Sequence, residues 1–405
     1  MNIYLVGGAV RDMLLKKTPH DKDYVVFGAT VSDMLKAGYQ QVGKQFPVFL
    51  HPLNKNEYAL ARKEEKTGNK HTDFRFIFTP DVTMQEDVIR RDFTCNALLY
   101  DEKKQELIDL VGGKKDIENK IIRHINSEHF VEDPLRVLRM CRFKAKLDFN
   151  VAPETMALAK KMVQNKMLDH LSPERIWGEI NEALQQPNFV QFISCMRECG
   201  ALEAILPEIN KLWQTPERLD YHPEGNSGEH TMLVLQQGEN LSAKVKFALL
   251  LHDVGKTKTP PEILPGHRGH DKAAAPLIKD ICKRLKVPNE YRNLALMAAA
   301  QHMQIRNVLD MHKGRLLTLL QDICELKYRQ NLADYIKICR CDMLGRKRDI
   351  PQFERDYFHR SAMRLIKNFK IQCQIKATDM PDFADLVKDA SFADKFFNYR
   401  SQQII

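Results

Sequence analysis

Apolar and polar positions divide the chain into two regimes. Up to about residue 125, short apolar runs alternate with glycine, proline and polar breaks. They are "IYLVGG" from Ile3, "DYVVF" from Asp23, "YALARK" from Tyr58, "FRFIF" from Phe74 and "LLYD" from Leu98. Short apolar runs bounded by turn residues predict strands. The polar stretch "TGNKHTD", Thr67 to Asp73, predicts a flexible loop between two of them. From about Pro134 the apolar positions recur at helical spacing almost throughout. "DPLRVLRMCRFKAKL" opens with Asp133 as an N-cap and Pro134 at the first helical position, and Ser172 and Pro173 open "SPERIWGEINEAL" in the same way. A Pro- and Gly-containing stretch, Tyr221 to Gly228, marks a boundary, and a basic tail with "GRKRD" follows residue 340. The pattern predicts an α+β protein with a small mixed sheet confined to 1–125. Helical parts then follow over 126–224, 225–335 and 336–405. No internal repeat or low-complexity tract is present.

Length and composition narrow this only slightly. A chain of 405 residues suggests two to four domains, and its 43% hydrophobic content is ordinary for a globular protein. No apolar run approaches the ~18 residues needed to span a membrane, so no membrane partner is expected. The strand-like start at Ile3 leaves no charged-then-apolar leader, so no signal peptide is expected. Nine cysteines are scattered without a CxxC pair, which reads as buried thiols in a reducing, cytoplasmic compartment. A net charge of +9 favours a polyanionic partner, although a solvated basic surface gives the same number.

Candidate chemistry begins at "LVGGAVRDMLLKKTPHDKDYVV", Leu5 to Val26. Asp21 and Asp23 flank Lys22 at the mouth of a strand, so their side chains point the same way. Paired carboxylates repel, and burying them unpaired is costly. A hard cation such as Mg²⁺ resolves this by taking carboxylate oxygens while leaving positions for phosphate and water. Gly7 and Gly8 let the backbone approach a phosphate, and Arg11 can pair with it. The whole arrangement suits metal-assisted nucleotidyl transfer. The plain alternative is a glycine turn with aspartates in a solvated hairpin.

With its neighbours, this stretch carries a resemblance. "GGAVRD" followed by "DKD" resembles the first motif of the class II nucleotidyltransferases of the DNA polymerase β superfamily. "EDVIRRDFTCNAL" (Glu86–Leu98), "LIDLVGGKKDI" (Leu107–Ile117), "EDPLRVLRMCRF" (Glu132–Phe143) and "SPERIWGE" (Ser172–Glu179) resemble the second to fifth motifs, in order. Over essentially the whole chain the sequence is similar to bacterial tRNA CCA-adding enzymes that carry an appended HD domain. The resemblance implies a polymerase-β-like nucleotidyltransferase head over 1–125, a helical neck with a nucleobase-reading helix, an HD domain and a basic helical tail. It implies untemplated addition of C, C and A to the tRNA 3′ end from CTP and ATP. It further implies that Asp21 and Asp23 hold Mg²⁺ and that Gly8, Arg11 and Arg91 contact the nucleotide. Asp133, Arg136 and Arg139 would read the base, and tRNA would be bound at its acceptor end and elbow by a monomer or homodimer. The loop at 67–73 matches in position one that the family uses when switching from C to A addition.

The fourth motif makes chemical sense by itself. Arg136 and Arg139 are three residues apart and share a helical face. Cytosine and adenine both present an amino group beside an unprotonated ring nitrogen, which an aspartate and an arginine can meet together. Guanine and uracil present the opposite pattern. The plain reading is an N-cap and two solvated arginines. Arg91, Asp92 and their neighbour could likewise be a strand-end ion-pair cluster, and Asn96 reads as a turn or capping residue.

A histidine-rich segment adds a second centre. "GEHTMLV" places His230 near a helix start, and "FALLLHDVGK" places His252 and Asp253 at the end of an apolar helix. Adjacent His-Asp after such a run resembles the HD-domain phosphohydrolases. Imidazole and carboxylate suit Ni²⁺, Mn²⁺ or a similar ion. "GHRGH" adds His267 and His270, "QHMQ" adds His302, and Asp342 stands where that superfamily's distal aspartate is expected, on chain distance alone. The resemblance implies 2′,3′-cyclic phosphodiesterase, 2′-nucleotidase and phosphatase activities. Three rivals are a poly(A) polymerase, an HD phosphohydrolase with an inactive RNA-binding head, and a tRNA-binding module without chemistry. The first typically has a long basic extension and no HD domain, the reverse of this chain. The intact Asp21, Asp23 and Arg91 oppose the second. Carboxylates that would repel phosphate without a metal oppose the third.

Overall fold

The computed structural model describes residues 1–19, 21–42, 47–66, 74–324, 329–381 and 391–405. The predicted loop Thr67–Asp73 lies outside them. The chain forms two units, one built from 1–180 and 191–205, the other from 181–190 and 206–405.

The first unit holds the sheet. Its strands are β1 (Asn2–Val6), β2 (Asp23–Phe27), β3 (Gln40–Gln41), β4 (Val48–Leu50), β5 (Glu57–Leu60), β6 (Lys63–Lys66), β7 (Phe74–Ile77), β8 (Leu99–Asp101) and β9 (Glu106–Ile108). Seven join in the order β3-β4-β5-β2-β1-β8-β9, and β6 and β7 form a separate antiparallel ribbon. β2 runs antiparallel to β1 but parallel to β5, so the sheet is mixed, as the sequence predicts. Its central strands carry near-continuous apolar residues, with Leu5, Val25, Val26 and Leu99 at most 2% exposed, as two-sided burial requires. One expectation needs correction. Strands are not confined to 1–125, because β10 (Ile121–Ile122) pairs in parallel with β11 (Asn150–Val151). Only two residues per strand take part, too few for the periodicity to register.

Helix α1 (Gly8–Leu14) joins β1 to β2. Of the later helices in this unit, the thirteen-residue α2 (Leu135–Leu147) matters most. Its buried face runs through Leu135, Val137, Leu138, Met140, Cys141, Phe143, Ala145 and Leu147, which leaves Arg136, Arg139 and Arg142 on the other side. The helix starts one residue later than expected, with Pro134 at its N-cap, and Asp133 still accepts from the Leu135 N–H at 3.1 Å.

The second unit is helical. Ala243–Leu251 is buried at every position except Lys244, so it forms a core rod with almost no polar face. Around it lie Ser227–Gln237, His270–Arg284, Asn289–Gln301 and Arg329–Leu344, followed by the long helix Gln352–Gln372. Part of the basic tail is interior. Arg346 is buried, Arg348 pairs with Glu354, and Arg364 donates to the carbonyls of Val308 and Leu309. Arg348 and Arg364 hold the fold, whereas Lys347, Arg360, Lys367 and Lys370 are exposed. Eight of the nine cysteines are buried, and all are free thiols.

Candidate active sites

β1 ends at Gly7, whose φ of 71° lies where glycine is favoured, and Gly8 opens α1. The turn delivers Arg11, a side chain only 1% exposed. Its Nη1 donates to Asn96 Oδ1 at 2.6 Å, and Asn96 Nδ2 donates to Asp92 Oδ1 at 3.3 Å. Asn96 therefore holds the Arg11 side chain in place besides ending a short turn. Gly113, in the third motif, packs so closely that a Cβ there would collide with the Thr94 carbonyl, just before this turn.

Asp23 begins β2 directly beside Glu57 of β5 in the parallel register, and Asp21 precedes it in a bend. Burial, then Glu57 and Asp21, push the Asp23 carboxyl above its usual range, while Arg91 pulls the other way. Three carboxylates thus crowd one sheet edge. That accumulation of negative charge fits a divalent cation held by Asp21 and Asp23. Glu57 was missed in the sequence because only strand pairing brings it to Asp23.

A cavity of about 590 Å³ opens beside this edge, and Gly8, Arg11, Arg91, Asp133, Arg136 and Arg139 all line it. Its wall carries eight arginines and one lysine against Asp92, Glu132 and Asp133, a surplus that suits a polyphosphate. Each key arginine is held. Arg91 donates through Nε and Nη2 to Asp87 Oδ2 at 3.1 and 2.7 Å. Burial would raise the Asp87 carboxyl, but Arg91 and Arg90 outweigh it and lower it to about 2. Arg139 grips Asp92 Oδ2 through Nε and Nη2 at 2.9 and 2.6 Å. Arg136 donates to the carbonyls of His129 and Arg90, both at 2.6 Å. Asp133 Oδ2 accepts from Arg175 Nη2 at 2.7 Å. Arg175, in the fifth motif, was read as motif sequence without a role, and nothing local to it signals this partner 42 residues away.

The histidine-rich segment folds into a second constellation in the second unit. Asn226 caps the helix Ser227–Gln237 by accepting from the Glu229 N–H, which sets His230 one turn inside. This rod ends at His252, whose Nδ1 is tied to the Leu249 carbonyl at 2.7 Å, leaving Nε2 to face inward. Asp253 is shared. One oxygen, Oδ2, lies 3.2 Å from His252 Nε2 and 3.8 Å from His230 Nε2. The other, Oδ1, lies 3.5 Å from His302 Nε2 and 3.6 Å from His270 Nε2. Asp342 Oδ1 completes the first side, 3.1 Å from His230 Nε2 and 3.9 Å from His252 Nε2. Chain distance alone had suggested Asp342, and helix packing places it in the cluster.

Three buried atoms here lack any hydrogen-bond partner: His252 Nε2, Asp253 Oδ1 and His270 Nε2. Orphaned inward-facing imidazole and carboxylate atoms fit a transition-metal site. His230 Nδ1 sits 2.9 Å from Glu224, which fixes the ring. Burial lowers the His230 pKa, yet hydrogen bonds to Asp342 and Glu224 carry it up to about 9. His267 stands apart, its two nitrogens occupied by Thr259 and the Pro216 carbonyl. Lys256 Nζ bridges Asp253 and Glu217 at 2.7 Å each. A cavity of about 530 Å³ lined by Asp253, Lys256, His270, His302 and Asp342 gives access.

Comparison with known proteins gives matches in both units. The family described as "Poly A polymerase head domain" matches residues 3–123, "Probable RNA and SrmB- binding site of polymerase A" matches 148–212, and "HD domain" matches 228–343. A "Multifunctional CCA protein" of Acinetobacter baumannii (strain AYE) is 41% identical, over 100% of this chain and 97% of that protein. Another from Vibrio vulnificus (strain YJ016) is 46% identical over 88% of this chain and 89% of its own. Among solved structures, the Bacillus stearothermophilus CCA-adding enzyme in complex with CTP superposes with a TM-score of 0.63 at 21% identity, covering 99% of this chain and 93% of that one. The Thermotoga maritima CCA-adding enzyme complexed with tRNA gives 0.61 at 17% identity, covering 99% and 87%. At such identities these two speak for the fold.

Proposed function

Because this chain belongs to the family of multifunctional CCA proteins, we propose that it adds C, C and A to the 3′ end of tRNA from CTP and ATP, and that its HD domain hydrolyses phosphate esters at RNA ends. The observation that carries the first activity is the arginine-rich cavity that gathers Gly8, Arg11, Arg91, Asp133, Arg136 and Arg139 beside the Asp21–Asp23 edge.

In this reading Asp21 and Asp23 hold Mg²⁺, which supplies charge neutralisation at the reacting phosphate. Gly8 leaves room for the triphosphate, and Arg11 and Arg91 neutralise it. Asp133 accepts a hydrogen bond from the exocyclic amino group of cytosine or adenine, and Arg136 donates to the adjacent ring nitrogen. Arg139, locked onto Asp92, keeps the reading helix in register with the second motif. G and U present the inverse pattern and fail both contacts, which is how a site rejects them without a template.

The second activity rests on the orphaned atoms of the His/Asp cluster. His230, His252, Asp253 and Asp342 would hold Ni²⁺ or another transition metal, with His270 and His302 facing the far oxygen of Asp253. The chemistry is 2′,3′-cyclic phosphodiester, 2′-nucleotide and phosphomonoester hydrolysis, which would let one polypeptide trim and rebuild damaged tRNA ends. The test is a tRNA transcript lacking CCA, incubated with each labelled nucleotide in turn. Ordered incorporation of C, C and A, with no G or U, is expected. Long A tracts would instead indicate a poly(A) polymerase.

A further inference from the structure

A third cavity, about 320 Å³, lies beside the His/Asp cluster and shares Tyr221, Arg306 and Asp342 with the cavity that opens onto it. Its remaining wall includes Arg346, Phe353 and Tyr357.

Arg346 is unusual. Only 8% of it is exposed, its Nε has no partner, and among the described residues its guanidinium makes no hydrogen bond or ion pair. The neighbouring cations are already engaged. Arg306 Nη2 donates to Asp342 Oδ2 at 3.1 Å, and Arg348 Nη2 reaches both oxygens of Glu354 at 3.0 and 2.8 Å. A buried, unpaired guanidinium is costly, and an incoming phosphate oxygen would repay it with charge-assisted bonds. The backbone around Arg346 is also fixed. The Gly345 carbonyl lies 3.1 Å from His230 Nδ1, and the Lys347 N–H donates to Glu224 Oε2 at 3.1 Å. Gly345 admits no Cβ, because one would overlap Val234. Arg346 is therefore held by the same groups that orient a candidate metal ligand. Phe353 lines the same cavity and is 69% exposed, so its ring is open to stacking by a ligand.

We infer that this cavity is the nucleoside subsite of the hydrolytic centre: the base of a terminal nucleotide stacks on the Phe353–Tyr357 wall while Arg346 pairs with its phosphate at the His/Asp cluster. This rests on the phosphohydrolase reading above. Aromatic stacking accepts any base, so the subsite takes nucleotides as a class and discriminates them from simple phosphate esters.

The test measures Mn²⁺-dependent hydrolysis of 2′,3′-cyclic AMP and of glycerol 1,2-cyclic phosphate, which has the same cyclic ester without a base. Phe353→Ala should raise KM for the nucleotide about tenfold, leaving kcat and the base-free ester unchanged. Arg346→Gln should weaken both substrates by about tenfold or more, with Arg346→Lys partly restoring them. Nucleotide addition to tRNA should be normal in all three. Phe353 is exposed, so its variant keeps the test decisive should Arg346→Gln fail to fold. Unchanged nucleotide KM in Phe353→Ala, or an equal loss on both esters, overturns the inference. If the wild type hydrolyses neither ester, the phosphohydrolase reading fails, and binding of 3′-AMP to the Mn²⁺-loaded protein decides the subsite. Binding weakened about tenfold by Phe353→Ala supports it, and no binding by the wild type, or binding that Phe353→Ala leaves unchanged, overturns it.

Discussion

Arg139 places two nitrogens on a single oxygen of Asp92, 47 residues earlier in the chain. That contact binds helix α2 to the second motif through one buried carboxylate. Asp92→Asn keeps the shape but removes the charge. Breaking a buried pair costs about 3 kcal/mol or more, and the guanidinium left behind loses its anchor. Denaturant unfolding should shift accordingly, and kcat/KM for CTP and ATP should fall together by about tenfold or more. A variant as active and as stable as wild type would show that the pair does not hold the helix.

If Asp21 and Asp23 hold the Mg²⁺ as proposed, Asp21→Ala or Asp23→Ala should abolish incorporation of C and of A alike, because one site would serve both steps. Without metal, stability should hold or rise, because removing one carboxylate relieves the repulsion that Asp23 feels from Glu57 and Asp21. Near-normal incorporation at saturating Mg²⁺ would count against the assignment.

Asp87 supplies a pH dependence with a definite sign. Its folded-state carboxyl is lowered from 3.8 to about 2, so it contributes stability that is complete above its unfolded value and lost as pH falls through the folded one. The contribution is roughly 2 kcal/mol at neutral pH. Acid unfolding curves of wild type and Asp87→Asn should therefore converge between about pH 4 and pH 2. Parallel curves across that window would remove the effect.

His252→Ala or Asp253→Ala should eliminate metal-stimulated hydrolysis of 2′,3′-cyclic phosphates and reduce bound transition metal, leaving nucleotide addition nearly intact. The head has its own carboxylates and arginines before residue 145, and the two centres share no ligand. Loss of both activities in step would mean that the pair supports the fold or the tRNA site.

tRNA affinity should fall steeply with salt, through counterion release. Of the basic tail, Lys347, Arg360, Lys367 and Lys370 are exposed, and Lys367 and Lys370 lie one turn apart on the long helix Gln352–Gln372. Reversing both charges should lower the slope of log K against log salt by roughly two. An unchanged slope takes this helix off the tRNA surface.

What the sequence disclosed follows a physical line. The mixed sheet, the helical remainder and the helix start near Asp133 were legible, because apolar period and capping chemistry are local properties. The Asp21–Asp23 pair and the His252–Asp253 pair were legible for the same reason, being adjacent or nearly so in the chain. Glu57, Arg175 and Glu224 were not. Each acts on a partner reached only through strand pairing or helix packing, and none has a distinctive neighbour. The tail read only as basic sequence, and nothing in "GRKRD" signals that Gly345 lets the backbone press against Val234, which carries Arg346 inside.

Arg136 donates to two carbonyl oxygens, those of His129 and Arg90. Main-chain oxygens survive every substitution at the positions that carry them. If Arg136 reads the base, mutations at 90 and 129 can alter rate and stability while these two anchors persist. A lineage could then drift widely around the pocket and still write the same three letters, since part of the instruction is held in peptide groups that the genetic code cannot edit.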